Sequence, residues 1–225
     1  MAAIRWLGHA SFEIDLEGKH IIVDPWLDPR PLSGERLVKP YTTAEGIRAA
    51  DLIAVTHEHY DHCDKYDVKR IQEKTFAPVI APEPALAVLD VPQRQRMAAY
   101  VGDEFSHNGI DVKVVAAKHF KSQYPVGYIF RVGGKSVYHA GDTFEFFEMN
   151  QIQADVALVP VGGRYTMDVL SALNALKRIR CTAAIPMHYG TFKEIQADLN
   201  EFSTKAKKDG KAKPVILGIG QEYYF

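Results

Sequence analysis

The sequence predicts a single α/β domain over residues 1–225, in which two sheets pack face to face with helices outside them. The 225 residues are 47% hydrophobic and 24% charged, which is typical of a globular protein. Each half of the chain begins with strand-like runs and continues into helical patterns, and no linker or low-complexity segment separates the halves. This order of elements favours layers of α and β structure around a shared core.

Short apolar runs predict the strands of the first half. Residues 24–40 are rich in proline and predict an irregular loop. Thr42 and Glu45 form a capping-box pattern for a short helix to Ala50, and Asp64 can cap a helix through Lys74, with Tyr66, Val68 and Ile71 available for the core. Weak helical turns are expected over 82–97. The strands are expected at 3–7, 11–16, 20–24, 51–56, 78–81 and 110–117.

The second half alternates strands and helices. Gly133-Gly134 predicts the turn of a hairpin between strands 126–132 and 135–139. Leu170, Leu173 and Leu176 mark the buried stripe of a helix by their spacing. The remaining strands are expected at 156–160, 182–186 and 214–218, and the helices at 166–178 and 192–207.

Composition narrows the function classes. The net charge of -1 provides no general positive field for nucleic acid. Two cysteines suggest a reducing compartment, and the N-terminal residues lack the pattern of a secretory signal. No run approaches the ~18 apolar residues of a membrane span. We therefore expect a cytoplasmic protein without a membrane segment.

The strongest local signal is the motif His57-x-His59-x-Asp61-His62, directly after the strand predicted at 51–56. On an extended segment, side chains two residues apart point to one side, so His57, His59 and Asp61 can converge. A turn into the helix capped by Asp64 would bring His62 to a second position. Three imidazoles and a carboxylate suit two adjacent first-row metal ions better than a closed structural site.

This motif resembles that of the metallo-β-lactamase superfamily, and the resemblance spans essentially the whole chain. It agrees in order with Asp24 in IIVDP, His119 at a strand end, Asp142 in YHAGDT and His188 in PMHYGTF. Together with GHASF, these motifs look most like the branch of metal-dependent hydrolases related to ascorbate-6-phosphate lactonase. The resemblance implies a four-layer αββα sandwich with the metals at one sheet edge.

The resemblance also implies two divalent metal ions, Zn or Mn, with Fe or Ni compatible. Two such ions lower the pKa of a shared water toward 7 and so supply hydroxide at neutral pH. Asp61 is a candidate proton acceptor, although its role as a ligand limits that. The implied ligands are His57, His59 and His119 for one ion, Asp61, His62 and His188 for the other, and Asp142 bridging both.

Further residues are implied around this set. Asp24 is expected to orient a ligand imidazole. His9 and His139 are expected near the metals, where each could touch a metal, the substrate or only a ligand. Arg164 lies in the segment 162–168, which resembles a loop that borders the pocket and could bind an anion. An ordinary helix N-cap at Thr166 is the equally weighted alternative.

The expected function is that of a metal-dependent hydrolase attacking a small ester, lactone or phosphodiester by metal-activated hydroxide. The alternative is an RNA-processing nuclease of the RNase Z kind, but the chain leaves no room for the RNA-gripping arm usual in those enzymes. A redox di-iron protein would have Glu in place of His59. A non-catalytic relative would have lost ligands, and all seven are present.

Overall fold

The structure, a computed structural model, describes residues 1–28 and 36–225. The predicted irregular loop over 24–40 lies partly outside these described residues. The described flanks, 24–28 and 36–40, contain neither helix nor strand, as the sequence predicts.

Among the residues that the structure describes, the first sheet has seven strands in the spatial order β14-β1-β2-β3-β4-β5-β6. The pairs β14–β1, β1–β2 and β2–β3 are antiparallel, whereas β3 through β6 pair in parallel. The strands are β1 (Ala2–Gly8), β2 (Ser11–Leu16), β3 (Lys19–Val23), β4 (Leu52–Ala54), β5 (Val79–Ala81), β6 (Arg96–Ala98) and β14 (Glu222–Tyr224).

The second sheet also has seven strands, in the order β13-β12-β11-β10-β9-β8-β7. Its β7 to β10 are antiparallel and its β10 to β13 are parallel. The strands are β7 (Glu104–His107), β8 (Ile110–Ala116), β9 (Val126–Val132), β10 (Lys135–His139), β11 (Val156–Pro160), β12 (Ala183–Met187) and β13 (Lys213–Pro214).

In the described part of the chain, four α-helices cover the outer faces: α1 (Lys65–Thr75), α2 (Glu83–Val88), α3 (Val169–Arg178) and α4 (Leu199–Asp209). Val68 and Ile71 of α1 bury against Ile53 and Val79 of the first sheet. The larger core joins the facing sides of both sheets to α3 and α4. The order helix, sheet, sheet, helix confirms the predicted αββα class. Within the described ranges, no helix has the length and apolar character needed to cross a bilayer.

Several helix predictions were wrong in extent. The helix expected from Thr42 to Ala50 is a single 3₁₀ turn, Ala44–Gly46, because the buried Ile47 takes an extended conformation. The helix expected from 192 begins at Leu199, where Asp198 caps it. In α3 the cap is Asp168, whose side chain accepts from the Ser171 N–H, so the predicted N-cap at Thr166 was wrong.

Other corrections concern strands and core. The strands β6, β7 and β14 were not predicted. The strand expected over 214–218 is reduced to Lys213–Pro214, after which the chain turns back so that Glu222–Tyr224 can pair with β1. Two residues predicted as core are exposed: Tyr66 at 52% and Leu170 at 49%. The Asp64 cap of α1 is confirmed, since its side chain accepts from Tyr66 N–H and Asp67 N–H.

Candidate metal centre

The residues of the predicted site follow the ends of strands at one edge of the sandwich. The loop His57–His62 follows β4, His119 follows β8, Asp142 follows β10 and His188 follows β12. Since the carboxyl ends of parallel strands share one edge of a sheet, β4 and β12 deliver their loops to corresponding edges of the two sheets. The two sheets are joined there, because the Val126 N–H donates to the Thr56 carbonyl at 3.0 Å.

Three histidines form a first cluster. The Nε2 atom of His57 lies 3.0 Å from Nδ1 of His59, and Nε2 of His119 lies 3.1 Å from the same atom. The outer nitrogens face oxygens, namely Thr56 Oγ1, the Lys121 carbonyl and the Tyr165 carbonyl respectively. Donation to these oxygens leaves a lone pair on each inner nitrogen, which is the form of imidazole that binds metal. These three residues could hold one ion.

A second cluster contains His9, Asp61, His62 and His188, whose candidate ligand atoms all lie within 4.8 Å of one another. Asp61 Oδ2 is 3.3 Å from His9 Nε2. The rings of His9 and His188 are 4.1 Å apart between centroids. This group could hold a second ion.

Asp142 lies between the two clusters. Its Oδ1 is 3.3 Å from His62 Nε2, and its Oδ2 is 3.1 Å from His188 Nε2 and 3.7 Å from His119 Nε2. One carboxylate therefore faces nitrogens from both clusters, although Asp142 is distant from either in sequence.

Asp24 supports both clusters from behind. Its carboxylate accepts from the Thr56 N–H, the Thr56 hydroxyl and His62 Nδ1, each at 2.7 Å. Because the Thr56 hydroxyl donates to Asp24, it accepts from His57 Nδ1. Asp24 therefore contacts the His62 imidazole directly and the His57 imidazole through the Thr56 hydroxyl.

His139 contacts neither cluster through a free nitrogen. Its Nε2 donates to the Ala10 carbonyl at 2.9 Å, and its Nδ1 accepts from the Gly141 N–H at 3.1 Å. These two partners, Ala10 and Gly141, are adjacent in sequence to the site residues His9 and Asp142. His139 therefore holds two loops of the site together and has no nitrogen left for a metal or a substrate.

The backbone at the site is strained. Most residues other than glycine avoid positive φ, yet His9 (φ 55°), Asp24 (φ 46°), Lys121 (φ 71°), Arg164 (φ 52°) and His188 (φ 57°) all adopt it. Such conformations persist only where surrounding contacts enforce them, and they concentrate at functional sites. The loop of His188 is also confined by Gly162, where a Cβ would lie 2.1 Å from the His188 carbonyl oxygen.

The charges at the site favour a cation. Burial, reinforced by the neighbouring His62, holds the pKa of His57 well below its usual value, so this imidazole stays neutral. Burial disfavours the charged form of Asp142, but His188 and His62 outweigh it and hold the pKa of that carboxyl well below its usual range. Burial opposes the charge of His62, but Asp142 and Asp24 outweigh it and raise the pKa of that imidazole well above its usual value, so the buried carboxylates of the site attract positive charge.

Unpartnered polar atoms support the same conclusion. Within residues 1–28 and 36–225, eight buried side-chain nitrogen and oxygen atoms lack a hydrogen-bond partner, and five of them lie in these clusters. They are His9 Nε2, His62 Nε2, Asp142 Oδ1, His188 Nδ1 and His188 Nε2. Buried polar atoms nearly always have a hydrogen-bond partner. Buried polar atoms that lack one and lie close together, as here, fit the role of metal ligands.

The clusters open into a cavity of about 500 Å³. Its floor includes His59, Asp61, His119, Asp142 and His188. The other described lining residues are Tyr60, Phe120, Lys121, Tyr165, Phe192 and Glu194. The volume suits a small organic molecule, and four of these six residues are aromatic.

Arg164 is exposed, and its guanidinium lies 5.3 Å from the Tyr165 ring centroid. It is not among the described residues that line the cavity, whereas Lys121 is. The N-terminus of α3 is already capped by Asp168. A role for Arg164 toward substrate stays a prediction.

Sequence reasoning missed three supporting residues. Glu58, inside the histidine motif, accepts from the Ser122 hydroxyl and the Gln123 N–H, and so fixes the loop after His119. Thr143 accepts from the Lys118 N–H, and Thr191 pairs with His9. Glu58 could have been recognised in the sequence from its position between two candidate ligands. No such sequence signal marked Thr143 or Thr191.

Comparisons with known proteins agree with the fold and with the class of metal-dependent hydrolases. The Beta-lactamase superfamily domain matches residues 3–188. A UPF0173 metal-dependent hydrolase of Thermoplasma acidophilum is 40% identical over 213 residues, covering 90% of each chain. Another, from Thermofilum pendens, is 39% identical over 98% of this chain and 97% of its own. The solved structure of Igni18, a metallo hydrolase from Ignicoccus hospitalis, matches with a TM-score of 0.83 at 33% identity, covering 100% of this chain and 99% of its own.

The chain therefore belongs to the metallo-β-lactamase superfamily, and within it to the UPF0173 metal-dependent hydrolases. It is an enzyme of this hydrolase class, which confirms the expectation drawn from the histidine motif. Membership of the branch related to ascorbate-6-phosphate lactonase stays a prediction.

The role of Asp24 can be tested by Asp24→Asn. The amide would present an N–H₂ group where one carboxylate oxygen now accepts, so either Thr56 or His62 would lose its acceptor. We expect metal affinity to fall by about 10–100-fold and stability by about 1–3 kcal/mol. Competition with a chromophoric chelator and thermal melting measure the two effects.

The matched control is Asp15→Asn, because Asp15 accepts only a turn N–H, from Gly18, and lies away from the site. It should leave metal affinity unchanged. Equal affinities for Asp24→Asn and the parent would show that Asp24 does not orient the ligands.

Proposed function

We propose that this protein hydrolyses a small ester, lactone or phosphodiester at a centre of two divalent cations. The observation that carries the proposal is the position of Asp142 Oδ2, 3.7 Å from His119 Nε2 and 3.1 Å from His188 Nε2. A carboxylate that faces both clusters fits a bridge between two ions. The family membership establishes the hydrolase class, and this geometry supports the finer statement.

We assign His57, His59 and His119 to one ion, and Asp61, His62 and His188 to the other. When bound, two such ions would lower the pKa of a water and polarise the group under attack. The set contains imidazole and carboxylate ligands without cysteine, which suits Zn or Mn and accommodates Fe or Ni.

Asp61 lines the cavity, together with the carboxylates of Asp142 and Glu194. Burial opposes its charge, but the surrounding histidines, His62 among them, dominate and lower its pKa. A carboxylate of low pKa is a weak proton acceptor. We therefore assign Asp61 first to holding an ion and only second to accepting a proton.

The cavity supports a small-molecule substrate. Tyr60, Phe120, Tyr165 and Phe192 offer apolar surface around the candidate ligands. Lys121 is the one lysine or arginine among the described lining residues, and it can pair with an anionic group of the substrate. A groove for an RNA backbone would need several cations in a row, so this lining favours the small-molecule hydrolase over the RNase Z alternative.

The free cysteines Cys63 and Cys181 fit the cytoplasmic location that we propose.

An activity panel tests this function. Phosphodiesters, lactones, simple esters, thioesters and β-lactams are offered to metal-free protein reloaded separately with Zn, Mn and Ni. We expect metal-dependent turnover of an ester, lactone or phosphodiester, faster for aryl than for methyl substituents because of the aromatic lining. Cleavage of a structured RNA at one site in physiological salt, without small-molecule turnover, would favour the nuclease instead.

Asp142→Asn tests the bridge. The amide keeps the shape but loses the charge and one oxygen able to bind metal, while three side chains remain for each ion. We expect a folded variant that binds one ion nearly normally and the other weakly, and that loses hydrolysis by several orders of magnitude. Metal content, melting temperature and turnover on the active panel substrate measure this.

Asp168→Asn is the matched control, because Asn caps a helix about as well as Asp and Asp168 caps α3 without facing either cluster. It should retain both ions and full turnover. Two ions and near-parent turnover in Asp142→Asn would remove Asp142 from the centre.

A further inference from the structure

His9 is a fully buried histidine with one unexplained nitrogen. Its ring packs against Trp26 and Phe192 at centroid distances of 5.3 and 5.8 Å, and against His188 at 4.1 Å. Its Nδ1 lies 3.0 Å from Thr191 Oγ1. The Thr191 hydroxyl donates its single hydrogen to the Tyr189 carbonyl at 3.4 Å, so it accepts from His9. These contacts favour the tautomer in which Nδ1 of His9 carries the proton and Nε2 holds a lone pair.

That lone pair faces no hydrogen-bond donor in the described part of the chain. It lies 3.3 Å from Asp61 Oδ2, itself an acceptor. Two acceptors turned toward each other are unfavourable, because their lone pairs repel and the buried His9 nitrogen has lost its water without gaining a donor. A cation between them would satisfy both.

The backbone conformation fixes the direction of the His9 ring. Gly8 (φ 119°) and His9 (φ 55°) both adopt positive φ between β1 and β2. The His9 carbonyl is fixed in this conformation by the Trp6 Nε1–H at 2.9 Å and the His188 N–H at 3.1 Å. The second contact ties His9 directly to a candidate ligand on the other sheet.

We propose that His9 is a ligand, through Nε2, of the ion held by Asp61, His62 and His188. The inference rests on the two-ion centre proposed above and extends it. The four ligand atoms lie within 4.8 Å of one another, a spacing that one ion with bonds of about 2.0–2.2 Å can fill.

This ligand makes the two ions unequal. With Asp142 shared, the ion at His9 has five protein ligands, whereas the ion at the three histidines has four. The less saturated ion, beside Lys121 and Phe120 on the cavity wall, is then the one with room for substrate, and the ion at His9 is the more firmly held.

The competing role for His9 is positioning. With the other tautomer, Nε2–H would donate to Asp61 and only orient that carboxylate. Loss of such an outer contact costs about 10–100-fold in metal affinity, so a ligand is expected to cost more.

The test uses the full chain loaded with Co²⁺. An imidazole bound through Nε2 shows a strongly hyperfine-shifted, exchangeable Nδ1–H signal in the proton spectrum, whereas a positioning histidine does not. For His9→Gln we expect the loss of one such signal and a fall of more than about 100-fold in the affinity for one of two ions, beyond the range of an outer contact. Circular dichroism and melting confirm the fold.

Thr191→Val is the second variant. It keeps the His9 ring but removes the acceptor of Nδ1–H, so both ions should remain while one shifted signal moves and exchanges faster with water. This arm identifies the His9 signal even where His9→Gln fails to fold.

The outcomes separate the two proposals. A parent that saturates at one ion contradicts the two-ion centre itself. Two ions in the parent, with the same shifted signals and affinities in His9→Gln, overturn only the role of His9. An unmoved set of shifted signals in Thr191→Val overturns it as well.

Discussion

The buried carboxylate of Asp24 is the contact on which the site and its edge of the fold depend. It joins the end of β3 to the second residue after β4, through both the backbone and the hydroxyl of Thr56. Through His62 directly, and through Thr56 to His57, it fixes the ring orientation of one histidine in each cluster. A buried carboxylate is costly without partners, and here three donors satisfy it. The same hydrogen bonds that stabilise this sheet edge therefore prepare both clusters.

The junction of the two sheets is the second requirement. The first sheet contributes His9 and the loop His57–His62, while the second contributes His119, Asp142 and His188. His139 bridges the loops from both sides, and the His188 N–H donates to the His9 carbonyl. Neither sheet alone contains a complete cluster, so the centre forms only when the sandwich closes. This explains how residues far apart in sequence act as one site.

Local patterns predicted much of this arrangement. The spacing of His57, His59, Asp61 and His62 indicated the candidate metal site, and the Asp64 cap and the hairpin at Gly133-Gly134 appear in the structure as expected. Long-range contacts could not be predicted from such patterns. The pairing of β14 with β1 depends on the closed fold, and α4 starts late because residues 190–195 form a turn that places Phe192 at the cavity. The carbonyl that orients His59 belongs to Lys121, and a backbone contact leaves no trace in residue identity.

The most direct test of the account is the number of ions that the protein binds. Elemental analysis after gentle purification, followed by titration of the metal-free chain with Zn or Mn, gives the stoichiometry. Two carboxylate-linked clusters predict saturation at about two ions per chain. Anomalous scattering from crystals should then place one ion among His57, His59 and His119, and the other beside Asp61. Saturation at one ion, or two ions located away from Asp142, would contradict the account.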